Sequence, residues 1–239
     1  MLNVLRVTVW NEAEGAYGPY EGGIHNAVAG FLQNEFSEVR TATLEMPEHG
    51  LTDEVLENTD VLVWWGHSKH HLVDDGIAYK VRQRIYNGMG FVALHSAHAS
   101  KVFSGLMGTN SWQLRWRDVG ELERVWTVDP SHPIAEGVPE YFEVPKSEMY
   151  GEFFNIPTPD EVVFISWYAG GEVFRSGCTF KRGKGKVFFF SPGHEDYPIY
   201  LQPQIQRVIS NGVKWAAPVC NPPLEFDHQP VSPNEKYNN

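Results

Sequence analysis

Cysteine is nearly absent from this chain: Cys178 and Cys220 are the only two in 239 residues. They cannot form a CxxC pair and give no disulfide framework. Cys178 reads as a strand residue and Cys220 lies in a Pro-rich tail. Long apolar runs are also missing, since none approaches the roughly 18 residues that cross a bilayer, so no membrane association is expected. The N-terminus enters an alternating strand with no signal-peptide block, so the expected location is cytoplasmic. Positive charge is scarce: 19 Lys and Arg against 30 Asp and Glu give a net charge of −11. Nucleic acid is disfavoured as a partner, because phosphate binding needs a clustered basic face. The one dense basic stretch, Lys181 to Lys186, reads as a solvated hairpin turn. Neither GxGxxG after a strand nor GxxxxGK occurs, so no nucleotide cofactor is expected.

What is present is a globular composition, 42% hydrophobic and 21% charged, with a regular rhythm of short strands and helices. Residues 3–9 read as a strand, Ile24 to Phe36 as a helix, and 38–45 as a second strand. Thr52 to Glu57 is a short helix. Asp60 to Trp65 is a continuous apolar strand, and Asp74 or Asp75 caps a helix running to about Tyr86. Gly90 to Leu94 is the fourth strand, followed by a short helix. This β-α-β-α order predicts a parallel sheet covered by helices on both faces. From Trp112 to Gly177 the segments become short and Pro-broken, with strands near 121–128 and 161–168. Phe174 to Phe190 predicts a hairpin, and Pro203 to Ala216 a final helix. With no internal repeat or clear linker, residues 1–217 are expected to form one α/β domain. Residues 218–239 then form an extended Pro- and Asn-rich tail.

Ligands of open parallel sheets bind at the carboxyl ends of the strands, so the residues after each strand are the functional candidates. Trp10-Asn11-Glu12, and later Gly23-Ile24-His25, follow the first. Gly66-His67-Ser68-Lys69-His70-His71 follow Trp65, and His95-Ser96-Ala97-His98 follow Leu94. Ser191-Pro192-Gly193-His194-Glu195 follow the late strand ending at Phe190. A single histidine is more often structural than functional; four at strand ends are difficult to assign to chance. The spacing of His67, His70 and His71 does not fit the HExxH helix of zinc proteases. Of these three only His67 is expected to face the crevice. His132 reads as a turn residue, and His49 and His228 receive no role.

The segment Gly90-Phe-Val-Ala-Leu-His95-Ser96-Ala97 resembles the strand-to-helix turn of class I glutamine amidotransferases, where the position of His95 carries a nucleophilic cysteine. Val187-Phe-Phe-Phe-Ser-Pro-Gly-His194-Glu195 resembles the strand that delivers their catalytic histidine. Within that superfamily the chain resembles the ThuA-like (trehalose utilisation) family at Gly23-Ile24-His25, Val92-Ala93-Leu94-His95 and His132-Pro133-Ile134. The similarity continues at Glu148-Met149-Tyr150, Gly193-His194 and Asn211 to Ala216, and spans about residues 3 to 216. It implies a flavodoxin-like, three-layer α/β/α fold with a mostly parallel sheet and glutamine amidotransferase-like topology. It also implies a role in using trehalose and related disaccharides, near dehydrogenases that make 3-keto sugars. Amide hydrolysis does not carry over, because that chemistry needs a thiolate and position 95 is His. Ser96 is no substitute, since Leu94-His95-Ser96-Ala97-His98 lacks the glycines of a GxSxG elbow.

On that topology His67, His95 and His194 share one crevice. Three imidazoles with an open fourth position are a catalytic zinc geometry, so zinc or another divalent transition metal is a candidate cofactor. His25 is a candidate fourth ligand or substrate contact. Glu12, Glu148 and Glu195 are candidates for general base or for orienting the ligands. Without metal, His95, His194, Glu148 and Glu195 would instead move protons on a bound keto-sugar. Trp65 and Tyr150, with Glu12 and His25, are the expected sugar contacts, and Trp10, Tyr17 and Tyr20 are further aromatic candidates. The expected function is an enzyme acting on a small-molecule sugar, as a lyase, isomerase or hydrolase. The alternatives are a non-catalytic sugar-binding module and a partner-binding module. A homodimer is expected from the aromatic insertion and the extended tail.

Overall fold

The computed structural model describes residues 3–13 and 18–219. Strand β1 (Asn3–Asn11) leads through α1 (Ile24–Leu32) to β2 (Phe36–Thr43). Helix α1 ends four residues before the expected Phe36, because polar Gln33, Asn34 and Glu35 turn the chain and Phe36 already pairs with Asn3 of β1. Helix α2 (Asp53–Glu57) starts where the Thr52 hydroxyl accepts from the Val55 amide at 3.2 Å. Strand β3 (Val61–Trp65), helix α3 (Asp75–Tyr86) and strand β4 (Gly90–Leu94) follow. Asp74 is the cap of α3, its carboxylate accepting from the Gly76 and Ile77 amides. After a 3-10 turn at His95–Ala99 and helix α4 (Lys101–Met107), the chain builds β5 (Arg115–Thr127), β6 (Tyr141–Gly151), β7 (Glu161–Tyr168), β8 (Val173–Arg182) and β9 (Gly185–Phe190). Helix α5 (Pro203–Ala216) closes the described chain. The last residues of the predicted tail, 220–239, lie outside the described residues, as does Tyr17. Among the described residues no helix is long and apolar enough to cross a membrane.

The nine strands of the described residues form one sheet in the order β2-β1-β3-β4-β9-β8-β7-β5-β6. This corrects the expected mostly parallel sheet. The pairs from β2 to β9 are parallel, and every pair from β9 through β8, β7 and β5 to β6 is antiparallel. The physical reason is connection length. The early strands are joined through helices, as parallel neighbours require, while β8 and β9 are joined by a tight turn at Gly183-Lys184 that permits only reversal. Strand β6 was not foreseen as a strand, because Pro145 and charged neighbours break its apolar pattern. It is the last strand in the order, and an edge tolerates a residue that cannot donate to a ladder.

Alternation along the central strands splits the core between the two faces. Leu62, Trp64, Phe91, Ala93, Val187 and Phe189 pack with Ile77 and Val81 of α3 and Val102 and Phe103 of α4. Val61, Val63, Val92, Leu94, Phe188 and Phe190 pack with Ile24 and Val28 of α1 and Ile205, Val208 and Val213 of α5. Trp10 stacks on Trp64 with centroids 3.7 Å apart, and Tyr20 packs beside Tyr200, so both belong to the core.

The antiparallel half holds a buried carboxyl group. Glu123 of β5 accepts from the hydroxyls of Ser147 (2.7 Å), Ser166 and Tyr168 (3.1 Å) and is fully shielded from solvent. Burial pushes its pKa up, and the three donors counter that shift. Glu123→Ala strips three buried hydroxyls of their acceptor, and urea denaturation should show a loss of about 2–4 kcal/mol. An unchanged midpoint would contradict this role.

Candidate functional site

The parallel strands end together, and their ends carry the histidines. Each of β3 and β4 is apolar and buried at all five residues, so the first polar side chains appear only where the strands stop. The chain leaves β4 through His95, whose φ of +55° places a non-glycine residue in the left-handed region. Such strain persists only where its surroundings fix it. Here the His95 ring lies nearly parallel to the rings of Trp65 (centroids 6.1 Å apart, 15°) and Tyr150 (5.6 Å, 15°). The loop after β9 closes over it. A Cβ on Gly193 would lie 3.1 Å from the Cβ of His95 and collide with the Tyr200 hydroxyl, so only glycine lets that loop pass.

Three imidazoles meet at this point. The rings of His67 and His95 are parallel with centroids 5.5 Å apart, and His194 stands edge-on to both at 5.6 and 5.5 Å. His67 Nδ1 is 3.3 Å from His95 Nε2. Two carboxylates join them: Glu148 Oε2 is 3.4 Å from His95 Nε2, and Glu195 Oε1 is 3.2 Å from His67 Nε2. Asp118 Oδ2 lies 3.7 Å from His194 Nε2, while its other oxygen accepts from the Tyr197 hydroxyl at 2.8 Å. The Tyr150 hydroxyl bonds to Ser96 and sits 3.4 Å from His95 Nδ1.

The electrostatics follow from burial. His95 is 1% exposed, and desolvation, reinforced by neighbouring His67 and His194, holds its pKa well below that of a free imidazole. It is therefore a neutral base at neutral pH. Burial also raises the Glu148 carboxyl to about 7; the Tyr150 hydrogen bond opposes this, while Asp118 and Glu195 add to it. His98 is a structural neighbour. Its Nδ1 is 2.9 Å from the Ser111 carbonyl, and burial drives its pKa down to about 3.

The family comparison is unambiguous. The trehalose utilisation (ThuA) family profile matches residues 6–216. The chain belongs to the ThuA family. A comparison with curated proteins finds no match. Among solved structures, a ThuA-like protein from Parabacteroides merdae is similar at 14% identity and a TM-score of 0.67, with 90% of each chain covered. A cytoplasmic protein from Salmonella typhimurium is similar at 15% identity and a TM-score of 0.61, covering 90% of this chain and 100% of that one. A β-galactosidase from Rahnella sp. R3 matches at 11% identity and a TM-score of 0.57, covering 91% of this chain but 32% of the enzyme. At these identities the structural likenesses establish the shared fold.

Within this ThuA-family chain, the structure brings His67, His95, His194, Glu148, Glu195 and Tyr150 together. Trp65 is buried under the His67 and His95 rings and orients them. Glu12 supports the same loop from below, its two oxygens accepting from the backbone amides of Ser68 (2.8 Å) and Lys69 (3.0 Å). His25 sits at the end of β1, with Nδ1 3.1 Å from the Asn11 side-chain amide. It belongs to neither of the two groups of converging donors, His67-His95-Glu148 and His95-His194-Glu195. Asp118 and Tyr197 were missed. Asp118 lies in a Trp- and Arg-rich strand whose pairing the sequence does not reveal, and Tyr197 has only its proximity to His194. Cys178 is buried in β8, where desolvation pushes its thiol up to about 12, away from the thiolate form that a nucleophile needs.

The Glu148 shift has a sign that can be tested. Its folded pKa lies above the ordinary 4.5, so its protonated form stabilises the fold below that value, and the contribution is lost as pH rises through about 7. His95 has the opposite sign, adding stability above its ordinary pKa and losing it as pH falls. Urea denaturation of chelator-treated protein should therefore show Glu148→Gln gaining on the wild type between pH 5 and 7. A constant difference across that range would contradict the shift.

Proposed function

We propose that the imidazole–carboxylate cluster around His95 is the active site of an enzyme of disaccharide utilisation, acting on a sugar or keto-sugar as a lyase, isomerase or hydrolase. The observation that carries this reading is the convergence of two buried groups, the His95 imidazole and the Glu148 carboxyl 3.4 Å from it, where burial raises the carboxyl to about 7. A group with that pKa both gives and takes a proton at neutral pH, as acid–base catalysis requires. Glu148 serves as the proton carrier and His95, 3.4 Å away, as its neutral partner. His67, bound to Glu195, and His194, beside Asp118, hold sugar hydroxyls or ligands at the pocket's rim. Glu12 and Trp65 fix the loop and rings rather than the sugar.

The same donors fit a divalent transition metal such as zinc. Glu148 Oε2 and Glu195 Oε2 are buried with no hydrogen-bond partner among the described residues, and each residue belongs to a trio whose ligand atoms lie within 4.8 Å of one another. Imidazole with carboxylate is a donor set suited to zinc and its neighbours. His67, His95 and Glu148, or His95, His194 and Glu195, would hold the ion, so a carboxylate joins the histidines expected as ligands. A metal in this pocket would polarise a sugar carbonyl or lower the pKa of a bound water. A flavodoxin-like three-layer arrangement and a cytoplasmic location complete the reading.

Elemental analysis of tag-free protein, purified without chelator, tests the ligand set. Near-stoichiometric transition metal, lost in His95→Ala and His194→Ala, is the expected result. Metal-free wild-type protein would remove the ligand set and leave a proton-transfer site. Saturable sugar binding without turnover would favour a binding module instead.

A further inference from the structure

The two-stranded ribbon of β5 and β6 turns one face toward the histidine cluster, and three of the side chains on that face reach it. Glu148 and Tyr150 are two residues apart on β6, hence on one face, and both reach His95. In the antiparallel register Trp116 of β5 stands directly opposite Tyr150, and opposite residues share a face with Cβ atoms about 5 Å apart. Two residues further along β5, Asp118 reaches His194. Trp116 is therefore the fourth corner of the face that lines the pocket. Unlike the buried Glu148 and Tyr150 it stands in solvent, 67% exposed, beside the exposed Asp118.

Its surroundings are built like a binding surface. Trp116 lines a groove with Trp112, Leu114 and Phe153, and Trp112 and Phe153 are themselves 61% and 73% exposed. At Trp116 this groove meets a cleft that extends to Asp118, flanked by Arg115, Arg117 and Glu172. Exposed aromatic clusters of this kind mark interaction sites. Protein–protein contacts are enriched in Trp and Arg but depleted of Asp and Glu, whereas here Asp118 and Glu172 line the cleft beside the ring. An aromatic face rimmed by charged hydrogen-bonding groups matches a sugar ring, which offers one apolar face and a belt of hydroxyls.

We infer that Trp116, walled by Trp112 and Phe153, is a subsite for a second sugar ring, so that the site selects a disaccharide or longer saccharide over a monosaccharide. The inference rests on the saccharide reading of the histidine pocket and adds to it the feature that sets substrate length. One ring occupies the pocket at His95 and Glu148, and the next stacks on Trp116 beyond Asp118. Trp116 is a specificity residue and takes no part in proton transfer.

Calorimetric titration with trehalose and with glucose, using wild type, Trp116→Ala and Trp116→Phe, tests this. Light scattering reports the oligomeric state of each variant. Wild type should bind trehalose more tightly than glucose. Trp116→Ala should weaken trehalose about tenfold while leaving glucose within about twofold, and Trp116→Phe should restore most of the loss. Wild type that binds trehalose, with Trp116→Ala unchanged, overturns the subsite and leaves the saccharide reading standing. Wild type that binds neither sugar overturns both. A change of oligomeric state in Trp116→Ala would instead make this face a contact between copies of the chain and overturn the subsite.

Discussion

The burial of one neutral imidazole constrains the rest of this structure. His95 sits in a left-handed turn, 1% exposed. A charged ring there would have no solvent, so the surroundings supply aromatic and polar contacts instead: Trp65 and Tyr150 nearly parallel to it, His67 and Glu148 at Nε2. The strained turn, the glycine at 193 and the Glu12 brace under residues 68 and 69 each serve that placement. Burial of His95 also governs its neighbours. Glu148 shares its dry environment, and that environment brings a carboxyl group to the pKa at which it can work as acid and base.

The two halves of the sheet divide the labour. The parallel half ends its strands at one edge and so delivers His67, His95 and His194 from three separate loops. The antiparallel half folds back and delivers Glu148, Tyr150 and Asp118 from a paired ribbon. Without that ribbon the three histidines would lose Glu148 and Asp118 as carboxylate neighbours and keep Glu195. The mixed sheet is thus what turns a row of strand-end histidines into an enclosed cluster. The same ribbon carries Trp116 at its outer corner, so one piece of secondary structure supplies both the acid–base carboxyl group and the aromatic surface beside it.

Much of the parallel half was legible because its strands are uninterrupted apolar runs with polar residues only at their ends. Val61 to Trp65 and Gly90 to Leu94 announce both the strand and the place where chemistry begins. His67, His95 and His194 could be picked out on that basis, and Glu148 through the family resemblance. The antiparallel half was harder. Strand β6 alternates buried and exposed residues around Pro145, a pattern that reads as a loop until its edge position is known. The pairing of Trp116 with Tyr150 joins residues 34 apart in sequence, and neither residue carries a local sign of the other. Asp118 was invisible for the same reason. Trp65 and Glu12 stand at strand ends, and in the structure they meet rings and amides of the protein itself.

The central physical claim is that His95 stays neutral across the physiological range at the heart of the cluster. Long-range proton–nitrogen NMR of the imidazole rings, followed from pH 5 to 8 and assigned with His95→Ala, reads this directly. The structure predicts that the His95 nitrogens keep the shifts of one neutral tautomer throughout. A His95 that titrates in the ordinary range of a solvated imidazole would contradict the account, because the buried, solvent-excluded centre on which it rests would not exist.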